Sequence, residues 1–208
     1  WKRYAGMDVV TYGGNQLSRE VRHNLNAVPE MIWSKDRTDN SDWIVYHKGL
    51  NGGTNPATKF LYLNKPDAEN GWVVPWNNTE PTSVWYPVQA STTFNKSGNT
   101  YLTMLFASVA GISKVGSYTG NNSSSGPTIT TGFNPRFLII KRANGVDNWF
   151  VFDTLRGISN SGNDARLKLD ESGGQTTNGE WLSISSTGFT LKTSDTGVNA
   201  SYSYIYYA

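Results

Sequence analysis

Short apolar segments rich in Val, Ile, Tyr, Trp and Phe alternate along the chain with stretches of Gly, Asn, Ser and Thr. β-Branched and aromatic residues suit a pleated, half-buried surface. Met7 to Tyr12, Met31 to Lys35, Trp43 to His47 and Phe60 to Leu63 are therefore predicted strands. So are Tyr101 to Phe106, Phe137 to Lys141, Trp149 to Phe152, Phe189 to Lys192 and Tyr202 to Tyr207. Several alternate with period two, as Phe60 and Tyr62 do against Leu61 and Leu63. Lys- and Glu-rich amphipathic stretches, the mark of surface helices, are missing. Many short strands separated by Gly/Asn/Ser turns predict an all-β sandwich or barrel.

The pattern repeats. Tyr12-Gly13-Gly14-Asn15 returns as Tyr118-Thr119-Gly120-Asn121 at a spacing of 106. Pro29 and Pro135, Lys35 and Lys141, Trp43 and Trp149, Leu61 and Leu167, and Leu63 and Leu169 keep that spacing. Further on, the spacing shortens to 104 for Asn95 and Asn199 and to 101 for Tyr101 and Tyr202. One spacing held across some fifty residues predicts two copies of one unit. The expected architecture is two tandem related β-sandwich domains, jelly-roll-like, over residues 1–111 and 112–208. An aromatic insertion at 71–87 is special to the first. Trp43 and Trp149, at matching places, read as core anchors.

The 208 residues suffice for one or two domains of roughly 100–200 residues each. Only 16% are charged, against about 25% in an average domain, so charge-driven disorder is not expected. The net charge of +2 is spread without a run of one sign, leaving no basic surface for a nucleic acid. The absence of Cys excludes disulfides, Cys-zinc sites and thiol catalysis. No apolar run reaches the roughly 20 residues of a spanning helix, so membrane insertion is not expected. Trp1 in place of an initiator Met reads as a piece of a longer protein.

Catalytic constellations are missing. Gly13-Gly14-Asn15 lacks the lysine and helix of a phosphate loop. His23 and His47 have no counterpart in the second copy and read as strand-end surface residues. Asp164, Asp170, Glu171 and Glu180 could serve glycoside hydrolysis only as a pair at roughly 5–10 Å, which spacing along the chain does not establish. Neither an enzymatic activity nor a cofactor is expected. Asp36, Asp39 and Asp42 form an oxygen-rich loop with Asn40 and are calcium candidates, though Asp and Asn are also ordinary turn residues. Trp72, Trp76, Trp85 and Tyr86 fall in the Pro- and Asn-rich insertion. There they read as a ligand-binding set for a glycan or another subunit, or as caps on the core.

Trp1 to Tyr12, His23-Asn24-Leu25, Pro29-Glu30-Met31-Ile32 and Asp42 to His47 resemble a repeat family of bacteriophage tail-fibre-like virion structural proteins, many from marine phages. Leu61 to Asn64, Ala110 to Gly120 and Asp153 to Gly157 resemble it too, so the likeness runs through both copies in order. Asn26 departs from it where the family tends to have Gly, as does the aromatic ending Tyr206-Tyr207-Ala208. The resemblance implies a phage particle surface or tail appendage as location. It implies a homo-oligomer, with other copies and other virion proteins as partners and host attachment as a role. A lectin-like receptor-recognition module is the alternative, and a glycan depolymerase is a third reading.

Overall fold

The computed structural model describes residues 6–72, 75–158, 160 and 162–208. Strands form where β-branched and aromatic residues cluster, and the fold is all-β. The chain divides into two compact units, Trp1–Leu63 with Glu69–Val109, and Asn64–Ala68 with Ala110–Ala208. The segment Asn64–Ala68 therefore belongs with the second unit, although it lies within the first half of the sequence.

The first unit contains β1 (Met7–Gly13), β2 (Arg19–Arg22), β3 (Met31–Asp36), β4 (Ile44–His47), β5 (Leu61–Tyr62), β6 (Trp85–Val88) and β7 (Thr100–Phe106). Five of these form an antiparallel sheet in the order β1-β7-β3-β4-β5. β2 and β6 form a separate ribbon. Val21, Tyr86 and Val88 of the ribbon share one core with Ile32, Ile44, Tyr46 and Leu105 of the sheet. That packing makes a β-sandwich of unequal layers.

The second unit contains β8 (Val115–Thr119), β9 (Thr128–Thr130), β10 (Phe137–Arg142), β11 (Trp149–Asp153) and β12 (Ala165–Lys168). β13 (Thr176–Thr177), β14 (Leu182–Ser185), β15 (Gly188–Leu191) and β16 (Ser203–Tyr207) complete it. One sheet runs β13-β12-β11-β10-β16-β8 and the other β14-β15-β9. Phe189, Leu191 and Leu182 pack between them on Leu138, Ile140, Phe152 and Tyr204. Read from the first strand, β8-β16-β10-β11-β12 has the order of β1-β7-β3-β4-β5.

Particular contacts recur as well. Leu63 N–H donates to Trp43 O at 3.0 Å, and Leu169 N–H to Trp149 O at 2.9 Å. Asn95 Nδ2 donates to Asn15 Oδ1 and Leu17 O at 3.1 and 2.8 Å. Asn199 Nδ2 donates to Asn121 Oδ1 and Ser123 O at 3.2 and 2.7 Å. Gly14 and Gly120 sit where a Cβ would lie 2.0 Å from Lys96 O and 2.1 Å from Ala200 O. Only a residue without a Cβ fits either place.

Two sequence expectations are corrected. Tyr12 stacks on its register partner Tyr101 at 5.0 Å, and Tyr118 on its partner Tyr204 at 5.1 Å. The counterpart of Tyr101 is thus Tyr204 and not Tyr202, whose ring lies 3.4 Å under the Arg142 guanidinium. The shorter turn before β16 causes the slip. Trp149 is buried, while Trp43, just before β4, is only half-buried.

Candidate functional site

The aromatic insertion does not act as one surface. Trp76 and Tyr86 are core residues, 2% and 0% exposed. The Trp76 ring meets Tyr46 edge-on at 5.9 Å, and the Tyr46 hydroxyl donates to Glu80 Oε2 at 2.6 Å. Trp85 is half-buried on β6, opposite Arg22. Trp72 is 91% exposed, its backbone N–H held by Asn70 Oδ1 at 2.8 Å. Val73 and Val74 of this insertion lie outside the described residues, as do Trp1 to Ala5 of the entry segment.

The oxygen-rich loop is organised around a lysine. Lys35 Nζ donates to the carbonyls of Ser41 at 2.7 Å, Asp36 at 2.8 Å and Asp39 at 3.5 Å. The main-chain oxygens of Asp36 and Asp39, two of the three calcium candidates, are thus turned to an ammonium that the chain itself supplies. Asp36 Oδ1 accepts the Thr38 and Asp39 N–H groups, and Asn99 Nδ2 donates to its Oδ2. Burial works against that charge, but the bonds from Asn99, Thr38 and Asp39 hold the carboxyl below its usual range. Asp39 is paired with Lys96 at 2.7 Å and takes a bond from Asn99. Among the described residues, no group of three His, Cys, Asp or Glu side chains is placed to hold a metal ion. In the second unit Lys141 does the same work, donating to Arg142 O, Pro66 O and Gly145 O at 2.7, 3.2 and 3.4 Å.

The histidines are buried, contrary to the surface expectation: His23 is 5% and His47 1% exposed. Each takes a backbone N–H two residues on at its Nδ1, from Leu25 and from Gly49. His23 Nε2 donates to Thr82 O at 3.0 Å. They fasten turns. Asp164, 0% exposed, accepts the Trp181 and Leu182 N–H groups. Asp170 accepts Trp149 N–H, and Glu171 pairs with Lys168. Asp170 and Glu171 share the Asn148 amide, which donates to Asp170 Oδ2 at 3.1 Å and to Glu171 Oε1 at 2.8 Å.

The first unit also holds a cavity of about 270 Å³ that spacing along the chain did not reveal. Its floor is the inner face of the sheet, with Ser34, Asp36, Ile44 and Tyr101. Tyr62 and Phe94 form half-buried aromatic walls. Asn40, Ser41, Asp42 and Thr93 line it as well, and Asn40 and Thr93 are exposed. Strand register explains the space. Ser34 faces Thr103 across β3 and β7, their hydroxyls 3.0 Å apart, and Ser34 is the partner of Ile44. In the second unit Ile140 stands between Tyr206 and Phe150, all three buried in the core. A position-by-position comparison of the two units carries that signal: Ser34 against Ile140, and Ile44 against Phe150.

No curated protein and no solved structure matches the chain. One family model covers residues 2–208, nearly the whole sequence, including both sandwiches, the lysine-centred loops and the cavity. The chain belongs to that family, DUF7483, a domain of unknown function.

Proposed function

We propose that the chain is a structural and attachment module of a phage virion appendage of the tail-fibre kind, present there in several identical copies. The observation that carries this reading is the pair of sandwiches with one strand order, β1-β7-β3-β4-β5 and β8-β16-β10-β11-β12, tied by matching asparagine bonds. Such units serve as rigid modules when an appendage is built by repetition, and duplication of one ancestral unit accounts for them. The resemblance of both halves to phage tail-fibre-like repeats supplies the setting. Contacts with other copies and with other virion proteins are part of the proposal, and catalysis is not. Electron microscopy of virions labelled with antibody to the chain tests the location, and sedimentation tests the assembly. Absence of label together with a strict monomer defeats the reading.

A glycan-binding, receptor-recognition role is favoured by one specific observation, the 91% exposure of Trp72. An isolated indole on the surface offers an apolar face to a sugar ring. If it does so, Trp72→Ala abolishes adsorption and leaves the melting temperature unchanged. Retained adsorption removes Trp72 from the site.

A further inference from the structure

The cavity of the first unit combines three properties. Its volume of about 270 Å³ falls just under the roughly 300–1,000 Å³ of sites for drug-sized ligands, so it suits one ring and not a long chain. Tyr62, Phe94 and Tyr101 offer aromatic surface. Asn40, Ser41, Asp42 and Thr93 offer carboxylate, amide and hydroxyl groups around the same space.

We propose that this cavity binds the terminal pyranose ring of an uncharged glycan, with Asp42 and Asn40 taking its hydroxyls and an aromatic wall taking its C–H face. The inference rests on the attachment role proposed above and names the class of ligand. A pyranose has one face of C–H bonds, slightly positive, which packs against the negative face of an aromatic ring. Its hydroxyls donate to a carboxylate more strongly than to a neutral acceptor. Asp36 is held in place by three donors, from Thr38, Asp39 and Asn99, so the acidic wall is organised before any ligand arrives. The three donors to Asp36 are all neutral, so its charge disfavours a sialic or uronic carboxylate in the same small cavity, which gives the site its selectivity. The second unit fills the corresponding place with Ile140, Phe150 and Tyr206. The first has Ser34 and Ile44 there in place of Ile140 and Phe150, smaller side chains that leave the room a ligand needs.

The test is NMR titration of the full chain with the methyl glycosides of glucose, galactose, mannose and N-acetylglucosamine, and with sialic acid. At least one neutral sugar is expected to bind with a dissociation constant on the order of 1 mM, as a single ring allows, and sialic acid is expected not to bind. Thr93→Trp, made at an exposed position, should weaken binding at least tenfold without lowering the melting temperature. Asp42→Asn should weaken it similarly, and Thr93→Trp decides the matter if that variant does not fold. The proposal is overturned if none of the four sugars binds, or if binding survives Thr93→Trp. Binding lost with Trp72→Ala and kept in Thr93→Trp also overturns it and moves the site to the insertion. The titration uses isolated protein, so its failure leaves the location on the virion to be judged by labelling.

Discussion

Asn199 is the most exacting test of how the second sandwich is held. Its side chain is fully buried: the two Nδ2 protons are shared among Asn121 Oδ1, Ser123 O and Thr193 O, and Oδ1 accepts Asn121 N–H at 3.1 Å. At a net value of about 1 kcal/mol for each bond, Asn199→Ala should cost the second unit about 3–4 kcal/mol. That is a large share of the roughly 5–15 kcal/mol that holds a domain together. Asn199→Asp separates shape from chemistry. The new carboxylate matches the amide in size, yet it faces three oxygen acceptors with no proton to offer. At pH 7 it should therefore destabilise at least as much as alanine. Burial and those oxygens raise its pKa in the folded state above the unfolded value of about 3.9. The folded state then binds the proton more tightly, so the lost stability returns as pH falls from 7 towards 5. Urea unfolding followed by tryptophan fluorescence at pH 7, 6 and 5 reads this directly. An Asn199→Asp midpoint equal to that of the parent chain, or a deficit independent of pH, would mean that the Asn199 amide does not hold these oxygens.

Three further outcomes are expected. Trp76→Ala should cost about 3–5 kcal/mol, the loss typical of a buried Trp, while Trp72→Ala should change stability by less than about 0.5 kcal/mol; thermal melts of the two variants check this, and equal losses would contradict the burial assignment. Gly14→Ala and Gly120→Ala should each cost about 1–3 kcal/mol, because the added Cβ meets backbone oxygen; a neutral result in urea melts would count against both turns. Burial pushes the Lys141 ammonium down to about 8 despite Asp147, Asp170 and Asp67, against about 10.4 in an unfolded chain. Between those values the unfolded state binds more protons, so stability should rise by about 1.4 kcal/mol from pH 7 to pH 9. Above pH 10 it should fall, since burial raises the pKa values of Tyr12, Tyr86 and Tyr118 in the folded chain. A flat urea midpoint between pH 7 and 9, or a rise that Lys141→Met preserves, would contradict the lysine assignment.

The sheets were legible because their signal is local: Met31 to Lys35 and Phe137 to Lys141 are short apolar runs that follow Pro29 and Pro135 and end at a lysine. The repeated Tyr-x-Gly-Asn marked a turn where glycine is expected at positive φ, but Gly14 and Gly120 have no positive φ and are glycine because a Cβ would meet a backbone oxygen. Tertiary choices were not legible. The sequence neighbours Trp72 and Trp76 have opposite fates, because only Trp76 reaches Tyr46, and nothing in their spacing carries that difference. Lys35 looked like the end of a strand, yet its ammonium gathers the carbonyls of a loop whose acidic residues read as calcium ligands. A long side chain folding back to a backbone oxygen leaves no mark in composition. The cavity was hidden for a related reason. It comes from the smaller side chains at Ser34 and Ile44, where the second unit has Ile140 and Phe150, and the two are brought together only through register.

Immunogold electron microscopy of intact phage particles, with antibody raised against the folded chain, tests the virion role directly. Gold is expected at a tail fibre or other appendage, in several copies per particle, with adsorption to host cells blocked by the same antibody. Particles that remain unlabelled and adsorb normally at saturating antibody would contradict that role.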